Sequence, residues 1–327
     1  MAARTSPKID VSFVIPVYNE EENLPDFYRE LTAAGEKLPG SCEIIFVDDG
    51  SRDGSFPALR RIQAADPKVK IIRLRKNFGQ TAALAAGFDR SRGEIIITLD
   101  ADLQNDPADV PLLVAKMNEG FDIVSGWRVK RKDKFVSRRL PSKAANWIIS
   151  RITKVKLHDY GCTLKAFRRD VVKNIKLYGE MHRFIPAIAS TMGVAIAEVP
   201  VNHRPRIHGK SKYNITKSVR VALDLLTVKF LLSYSTRPLQ IFGLFGLLAG
   251  LMGGILGGIL SYQRLILKQG IANRPLLLLS VLLIVIGIQF ITMGLLGEIM
   301  VRIYHEAVEK DIYAVREVID SDSEEKN

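Results

Sequence analysis

The chain has 327 residues and a formal net charge of +12, from 47 lysines and arginines against 35 aspartates and glutamates. This length allows one sizeable domain plus an appendage, and the basic excess suits nucleic acid, anionic lipid or a phosphorylated substrate. Two cysteines, Cys42 and Cys162, exclude a disulfide framework and a cysteine metal site, so a reducing compartment is expected. Residues 1–8 have no apolar core, so we expect no secretory signal there.

Strand and helix patterns alternate along the first two hundred residues. Strands are predicted at 11–15, 43–47, 70–74, 94–99, 122–124 and 194–199, and helices at 21–37, 80–90, 107–118 and 142–152. Such alternation favours an α/β fold, with a Rossmann-like, mostly parallel sheet covered by helices on both faces. No Gly-x-Gly-x-x-Gly motif follows the first strand, which counts against a dinucleotide-binding site.

Two long uncharged runs, 238–262 and 275–297, follow this region. Each exceeds the roughly 20 residues that a helix needs to cross the hydrocarbon core, so both are predicted to span a membrane as a hairpin. Burial of both helices in a soluble domain is the weaker alternative. Residues 216–232 are amphipathic and are predicted to lie in the membrane interface, or to pack on the domain, or both.

Four segments are therefore predicted: a cytoplasmic α/β domain (1–212), an amphipathic interfacial helix (213–235), two transmembrane helices (238–262 and 275–299, within 236–301) and a cytoplasmic C-terminal tail (302–327). The distribution of lysine and arginine favours cytoplasmic termini, and hence a multi-pass protein of the inner or plasma membrane. Glycines recur every four residues in the first span and form a smooth face for the second span or another subunit, so a homo-oligomer is expected. They are Gly246, Gly250, Gly254 and Gly258.

The motif Asp100-Ala101-Asp102 directly follows the apolar strand at 94–99. Two carboxylates at the end of a central strand suit Mg²⁺ or Mn²⁺, which commonly share their ligand shell with substrate phosphates. In α/β sheets, ligands bind at the carboxyl ends of the strands. The alternative is an acidic turn, in which Asp106 caps the next helix before Pro107.

Several motifs resemble known proteins. Residues 14–20 (VIPVYNE), 47–51 (VDDGS) and 99–104 (LDADLQ) are similar to the nucleotide-sugar half of family-two glycosyltransferases, which have the GT-A fold. Residues 158–162 (HDYGC), 179–184 (GEMHRF), 204–213 (RPRIHGKSKY) and 297–304 (GEIMVRIY) resemble a narrower group. That group is the polyisoprenyl-phosphate glycosyltransferases of the bactoprenol glucosyltransferase type, related to dolichol-phosphate-mannose synthase. The resemblance covers nearly the whole chain.

The resemblance implies a donor site at the strand ends. It assigns nucleotide-sugar binding to Pro16, Tyr18, Glu20, Asp48, Asp49, Ser51, Gly79, Asp100 and Ala101, although each alone also fits turn chemistry. Asp102 is the expected metal ligand, with Asp100 and Gln104 as further candidates; Gln104 also fits a solvent-facing turn. Residues 77–80 lie where a helix begins. The backbone N–H groups there are expected either to face a phosphate or only to be capped.

The resemblance also implies an acceptor site and a lid. Arg128, Arg138, Ser142 and Arg204 are the expected ligands of the acceptor phosphate, and a solvated basic face on anionic lipid is the alternative. Gly209, Lys210 and Ser211 resemble a mobile lid. Asp159 holds the family's catalytic-base position and is assigned a catalytic role with Asp102. A phosphate monoester has a second pKa of about 6, however, so Asp159 is open to an orienting role instead.

The expected reaction is inverting, metal-dependent transfer of one hexose, glucose from UDP-glucose, onto undecaprenyl or another polyprenyl phosphate, with release of UDP. A processive polysaccharide synthase is one alternative, but the Gln-x-x-Arg-Trp motif is absent, since Trp127 and Trp147 are the only tryptophans. A non-catalytic membrane anchor or flippase subunit is another. No nucleic-acid partner is expected, because such a partner explains the charge but not the spans. The sequence does not identify the sugar or the lipid length.

Overall fold

The computed structural model describes residues 9–129, 150, 155–175, 177, 181–205, 238–268, 270, 275–307 and 312–320. The chain divides into two compact units, one made of residues 1–228 with 311–327 and the other of residues 229–310. The first unit carries a sheet with its helices, and the second carries two long apolar helices. The predicted helix at 142–152, apart from residue 150, and the predicted interfacial helix at 213–235 lie outside the described residues.

An eight-stranded mixed sheet forms the centre of the first unit, in the order β7-β5-β6-β4-β1-β2-β3-β8. The strands are β1 (Val11–Val17), β2 (Cys42–Asp48), β3 (Val69–Leu74), β4 (Ile95–Thr98), β5 (Ile123–Trp127), β6 (Lys165–Arg168), β7 (Ile196–Pro200) and β8 (Val315–Ile319). β1 pairs in parallel with β2 and β4, and β2 pairs in parallel with β3. β6 runs antiparallel between β4 and β5, and β8 runs antiparallel to β3. The predicted α/β class with a GT-A sheet is confirmed.

The α-helices of this unit whose full ranges the structure describes are α1 (Leu24–Gly35), α2 (Ser55–Ala65), α3 (Gln80–Arg90), α4 (Val110–Asn118), α5 (Arg169–Lys173) and α6 (Ile185–Ala189). The central strands are buried along most of their length, as their continuous apolar runs require, and Phe13, Phe46 and Ile97 pack in one core with Leu31 of α1. Val17 pairs in register with Asp48. The residues that follow β1, β2 and β4 therefore emerge at the same edge of the sheet.

Two strands and three helices have no counterpart among the predicted elements. β6 is only four residues long and starts with a lysine, and β8 alternates exposed with less exposed residues, so neither shows an apolar run. β8 lies within the predicted tail, and Ile319 pairs with Ile71 of β3. The segment 315–319 is thus an edge strand of the sheet. The three helices that were not predicted are α2, α5 and α6.

The second unit contains α7 (Pro238–Leu265) and α8 (Pro275–Ala307). Both are long and apolar enough to cross a membrane, over Phe242–Leu265 and Pro275–Gly297. Glycines allow close contact between them: a Cβ on Gly246 would lie 2.6 Å from the carbonyl oxygen of Gly287. A Cβ on Gly254 or Gly258 would meet no atom of the described residues within 4 Å. The predicted glycine face is therefore divided, and only part of it packs on α8.

Candidate active site

The ends of β1 and β2 are joined by a network of backbone and side-chain hydrogen bonds. The backbone N–H of Asn19 donates to the Ser51 hydroxyl (3.0 Å), and that of Arg52 donates to Asn19 Oδ1 (2.8 Å). The backbone N–H of Ser51 donates to Asp48 Oδ1 (3.0 Å). Asn19 has a positive φ of 55°, a conformation that asparagine tolerates better than most residues. This network fixes the loops that carry the predicted donor residues Tyr18, Glu20, Asp48 and Ser51.

Asp49 holds the loop that opens α3. Its carboxylate is 3% exposed and accepts the backbone N–H groups of Phe78 (2.7 Å) and Gly79 (2.9 Å). Burial raises the pKa of Asp49 to about 6, against the lowering effect of these two hydrogen bonds. Gly79 has a φ of +97°, which favours glycine. These two amides bind Asp49, which supports the capping interpretation of residues 77–80.

Asp100 and Asp102 lie at the end of β4, and Asp102 is 6% exposed. Asp100 Oδ1 accepts a hydrogen bond from the Gln80 side chain (2.7 Å), and Asp102 Oδ1 accepts the backbone N–H of Gln104 (3.1 Å). Burial, and then the neighbouring Asp102, raise the pKa of Asp100 to about 7. Two crowded carboxylates of this kind are the oxygen ligands that Mg²⁺ and Mn²⁺ prefer.

Asp100 and Asp102 supply only part of the ligand shell that a metal ion needs. Among the described residues there is no group of three histidine, cysteine, aspartate or glutamate side chains that could enclose a cation. Two carboxylates suit an ion whose remaining ligands are substrate oxygens and water. Gln104 donates to Asp102 through its backbone N–H. Ala101 packs in the hydrophobic core at 2% exposure, so its side chain serves the core.

Asp159 and Arg128, assigned separately from the sequence, form a two-point ion pair. Arg128 Nε lies 2.6 Å from Asp159 Oδ2, and Arg128 Nη2 lies 2.9 Å from Oδ1. The backbone N–H of Gly161 also donates to Asp159 Oδ1 (3.1 Å). The backbone N–H of Asp159 donates to Glu198 of β7 (3.2 Å). This carboxylate thus accepts three hydrogen bonds and is 3% exposed.

A pocket of about 120 Å³ lies between the end of β4 and the Asp159 turn. Its lining includes Pro16, Gln80, Asp100, Tyr160, Lys165 and His182. The predicted donor residues Pro16 and Asp100 thus meet in one cavity. No role is predicted from the sequence for Lys165 or His182. The signal for His182 is its place in the motif at 179–184, and its Nδ1 lies 2.9 Å from the Thr81 hydroxyl.

Arg204 lies among acidic residues. Its guanidinium forms ion pairs with Glu30 of α1 (2.6 Å) and with Asp106 (2.7 Å), and its backbone N–H donates to the Gln104 carbonyl (2.9 Å). These contacts favour a structural role over the predicted binding of an acceptor phosphate. The predicted acceptor residues Arg138 and Ser142, and the predicted lid residues Gly209, Lys210 and Ser211, lie outside the described residues.

Residues 12–176 match the family described as Glycosyl transferase family 2. The chain is 42% identical over 320 residues to the dodecaprenyl-phosphate galacturonate synthase of Rhizobium johnstonii, covering 97% of this chain and 95% of that protein. It is 41% identical over 316 residues to an undecaprenyl-phosphate 4-deoxy-4-formamido-L-arabinose transferase of Salmonella paratyphi A, covering 96% and 95%.

Among solved structures, the chain resembles glucosyl-3-phosphoglycerate synthase from Mycobacterium tuberculosis in complex with Mn²⁺ and UDP-glucose. The TM-score is 0.55 at 18% identity, over 70% of this chain and 81% of that one. Mannosyl-3-phosphoglycerate synthase from Rubrobacter xylanophilus gives a TM-score of 0.54 at 15% identity, over 68% and 74%. At these identities the likeness shows the fold alone. With the sequence matches, it establishes that the chain belongs to glycosyltransferase family 2 and has the GT-A fold.

Proposed function

We propose that the protein transfers one sugar, with inversion, from a nucleotide diphosphate-sugar to a polyprenyl phosphate and releases the nucleoside diphosphate. The observation that carries this proposal is the similarity to two polyprenyl-phosphate sugar transferases over at least 96% of this chain, including both apolar helices. Undecaprenyl phosphate is the expected acceptor.

The donor end of the site is the edge formed by β1, β2 and β4. Asp102, with Asp100 and the predicted ligand Gln104, would hold Mg²⁺ or Mn²⁺, which neutralises the charge that develops on the leaving diphosphate. Burial, and then the neighbouring Asp102, raise the pKa of Asp100, which supports this assignment because a divalent cation favours the charged form of both carboxylates. Pro16 and Gln80 line the pocket beside Asp100.

The acceptor end is the Arg128–Asp159 pair. A guanidinium is suited to a phosphate, and the carboxylate that accepts from two nitrogens along one of its edges fixes its orientation. The second pKa of a phosphate monoester is about 6, so the acceptor is mostly a dianion at neutral pH and attacks the anomeric carbon without losing a proton. Three hydrogen bonds already occupy Asp159, so we assign it to positioning Arg128 rather than to proton abstraction.

The two relatives do not identify which sugar this protein transfers. One relative is named for galacturonate and the other for 4-deoxy-4-formamido-L-arabinose. Glucose from UDP-glucose, the expectation from the sequence, gains no support from these names. We therefore propose to test several nucleotide-sugar donors, rather than UDP-glucose alone.

The two apolar helices would anchor the enzyme beside its lipid acceptor. Because β8 follows α8 and pairs with β3, the chain before α7 and the chain after α8 belong to the same unit. Two crossings return a chain to its starting side, which supports a hairpin with both termini on one face. We propose that this face is cytoplasmic and that the membrane is the inner or plasma membrane. A homo-oligomer stays a prediction.

The test uses the full chain in detergent with Mg²⁺, undecaprenyl or dodecaprenyl phosphate, and labelled donors. The panel contains UDP-glucose, UDP-galacturonate, UDP-N-acetylglucosamine, UDP-4-deoxy-4-formamido-L-arabinose and GDP-mannose. We expect a lipid carrying a single sugar from at least one donor. A ladder of longer products would support a processive synthase. Absence of labelled lipid and of released nucleotide with every donor would support a non-catalytic anchor.

A further inference from the structure

Lys165 is a buried cation that none of the sequence motifs contains. It is the first residue of β6, it pairs in register with Thr98 of β4 and Ser125 of β5, and it is 3% exposed. An ammonium group in such a place is costly unless polar groups surround it. The role of Lys165 is therefore argued from the polar groups that its ammonium group contacts.

The partners of Lys165 are backbone carbonyls. Its Nζ donates to the carbonyl oxygen of Tyr160 (3.3 Å) and to that of Cys162. These carbonyls flank Gly161, so one ammonium group holds both sides of the turn that follows Asp159. Within the described part of the chain, Lys165 has no ion pair with a carboxylate. Burial lowers the pKa of Lys165, while nearby Cys162 and Asp159 oppose that shift.

The same turn sets the position of the ion pair at the acceptor end. The Gly161 backbone N–H donates to Asp159 Oδ1 (3.1 Å), the oxygen that also accepts from Arg128 Nη2 (2.9 Å). A Cβ on Gly161 would lie 3.3 Å from Arg128 Nη2, so the backbone there passes close to the guanidinium. A shift of the turn would therefore move Asp159 and Arg128 together.

We propose that Lys165 is a positioning residue for the acceptor phosphate, acting through the turn 160–162 on Asp159 and Arg128. This inference rests on the proposed function. Lys165 does not touch the acceptor. Its ammonium group holds the turn in the conformation in which the carboxylate contacts the guanidinium.

The experiment measures kcat and both KM values for wild type, Lys165→Met, Lys165→Arg and the control Lys70→Met. Lys70 is also buried, at 8% exposure, but it pairs with Glu43 and Asp320 at the β3–β8 edge. We expect Lys165→Met to raise the acceptor KM about tenfold, as for loss of a charged hydrogen-bond donor, with little change in the donor KM. Lys165→Arg should restore much of the acceptor affinity. Lys70→Met should lower the thermal midpoint and leave both KM values unchanged.

A double-mutant cycle with Arg128→Ala gives the second readout. If Lys165 acts through Arg128, Lys165→Met should add little to the acceptor KM once Arg128 is removed. A folded Lys165→Met variant with unchanged acceptor KM, or effects that multiply in the double mutant, would overturn the inference. Should Lys165→Met not fold, Lys165→Gln decides, because its shorter neutral amide should still raise the acceptor KM. Wild type inactive with every donor would instead contradict the proposed function.

Discussion

Arg128 and Asp159 form a two-point ion pair, with N–O distances of 2.6 and 2.9 Å, and the carboxylate is 3% exposed. The pair joins the residue predicted to bind the acceptor phosphate to the residue predicted to act as the base. Both oxygens of this carboxylate are already engaged, by the Arg128 guanidinium and by the backbone N–H of Gly161. The geometry therefore favours orientation of Arg128 as the role of Asp159.

The first prediction separates these two roles of Asp159. Asp159→Asn should keep measurable activity, and its rate should rise through about pH 6, the second phosphate pKa, and then level off. The measurement is a pH–rate profile of wild type and variant at saturating metal and donor. An obligatory base would instead leave a variant that binds both substrates but is inactive from about pH 6 to 9.

The second prediction concerns the two described arginines that the resemblance assigns to the acceptor. Arg128→Ala should raise the acceptor KM by about tenfold or more, while the donor KM changes little, because only the acceptor loses a charged donor. Arg204→Ala is the matched control, since Arg204 pairs with Glu30 and Asp106 and should mainly affect stability. Equal effects of Arg128→Ala on both KM values would place that residue on the donor or in the fold. Arg138→Ala is expected to behave like Arg128→Ala.

Metal dependence is the third prediction. Asp102→Ala should nearly abolish turnover, and excess EDTA should do the same to wild type until Mg²⁺ or Mn²⁺ is restored. The reason is that the charge on the leaving diphosphate would no longer be neutralised. The control is Asp106→Ala, which removes the carboxylate that caps the Ala108 N–H and contacts Arg204. Activity of this variant should still require the metal. Full turnover in EDTA would rule out the metal assignment.

The fourth prediction is a pH effect on stability through Asp49. The folded pKa of about 6 lies above the ordinary value of 3.8, so the folded state binds the proton more tightly. The stability that this group contributes is therefore present below the ordinary pKa and is lost as pH rises through the folded pKa. Thermal midpoints are measured for both proteins across that pH range. The midpoint of wild type should fall as pH rises, and this fall should be missing in Asp49→Asn. Parallel curves for the two proteins would contradict the raised pKa.

The fifth prediction tests the packing of α7 on α8. Gly246→Leu should destabilise the helix pair, because a Cβ there would lie 2.6 Å from the Gly287 carbonyl oxygen. Gly254→Leu is the matched control, since a Cβ at Gly254 meets no described atom within 4 Å. Thermal midpoints in detergent compare the two variants. A similar loss in both would mean that Gly254 also lies in a contact, such as one between subunits.

The sequence determined the features that depend on local pattern. Continuous apolar runs predicted the central strands, and uncharged runs predicted α7 and α8, because each pattern follows from burial of a segment in a sheet or in lipid. The motif at 100–102 predicted the acidic end of β4, because it directly follows a continuous apolar run. These predictions needed no knowledge of distant contacts.

Only the tertiary structure decided which distant residues meet. Arg128 and Asp159 are 31 residues apart, and no periodicity indicates that one would hold the other. The pairing of Ile319 with Ile71, the burial of Lys165 under the turn 160–162 and the ion pairs of Arg204 are contacts of the same kind. Their physical reason is that side-chain partners depend on how the sheet orders its strands, and β6 and β8 are too short or too polar to show their places in the sequence.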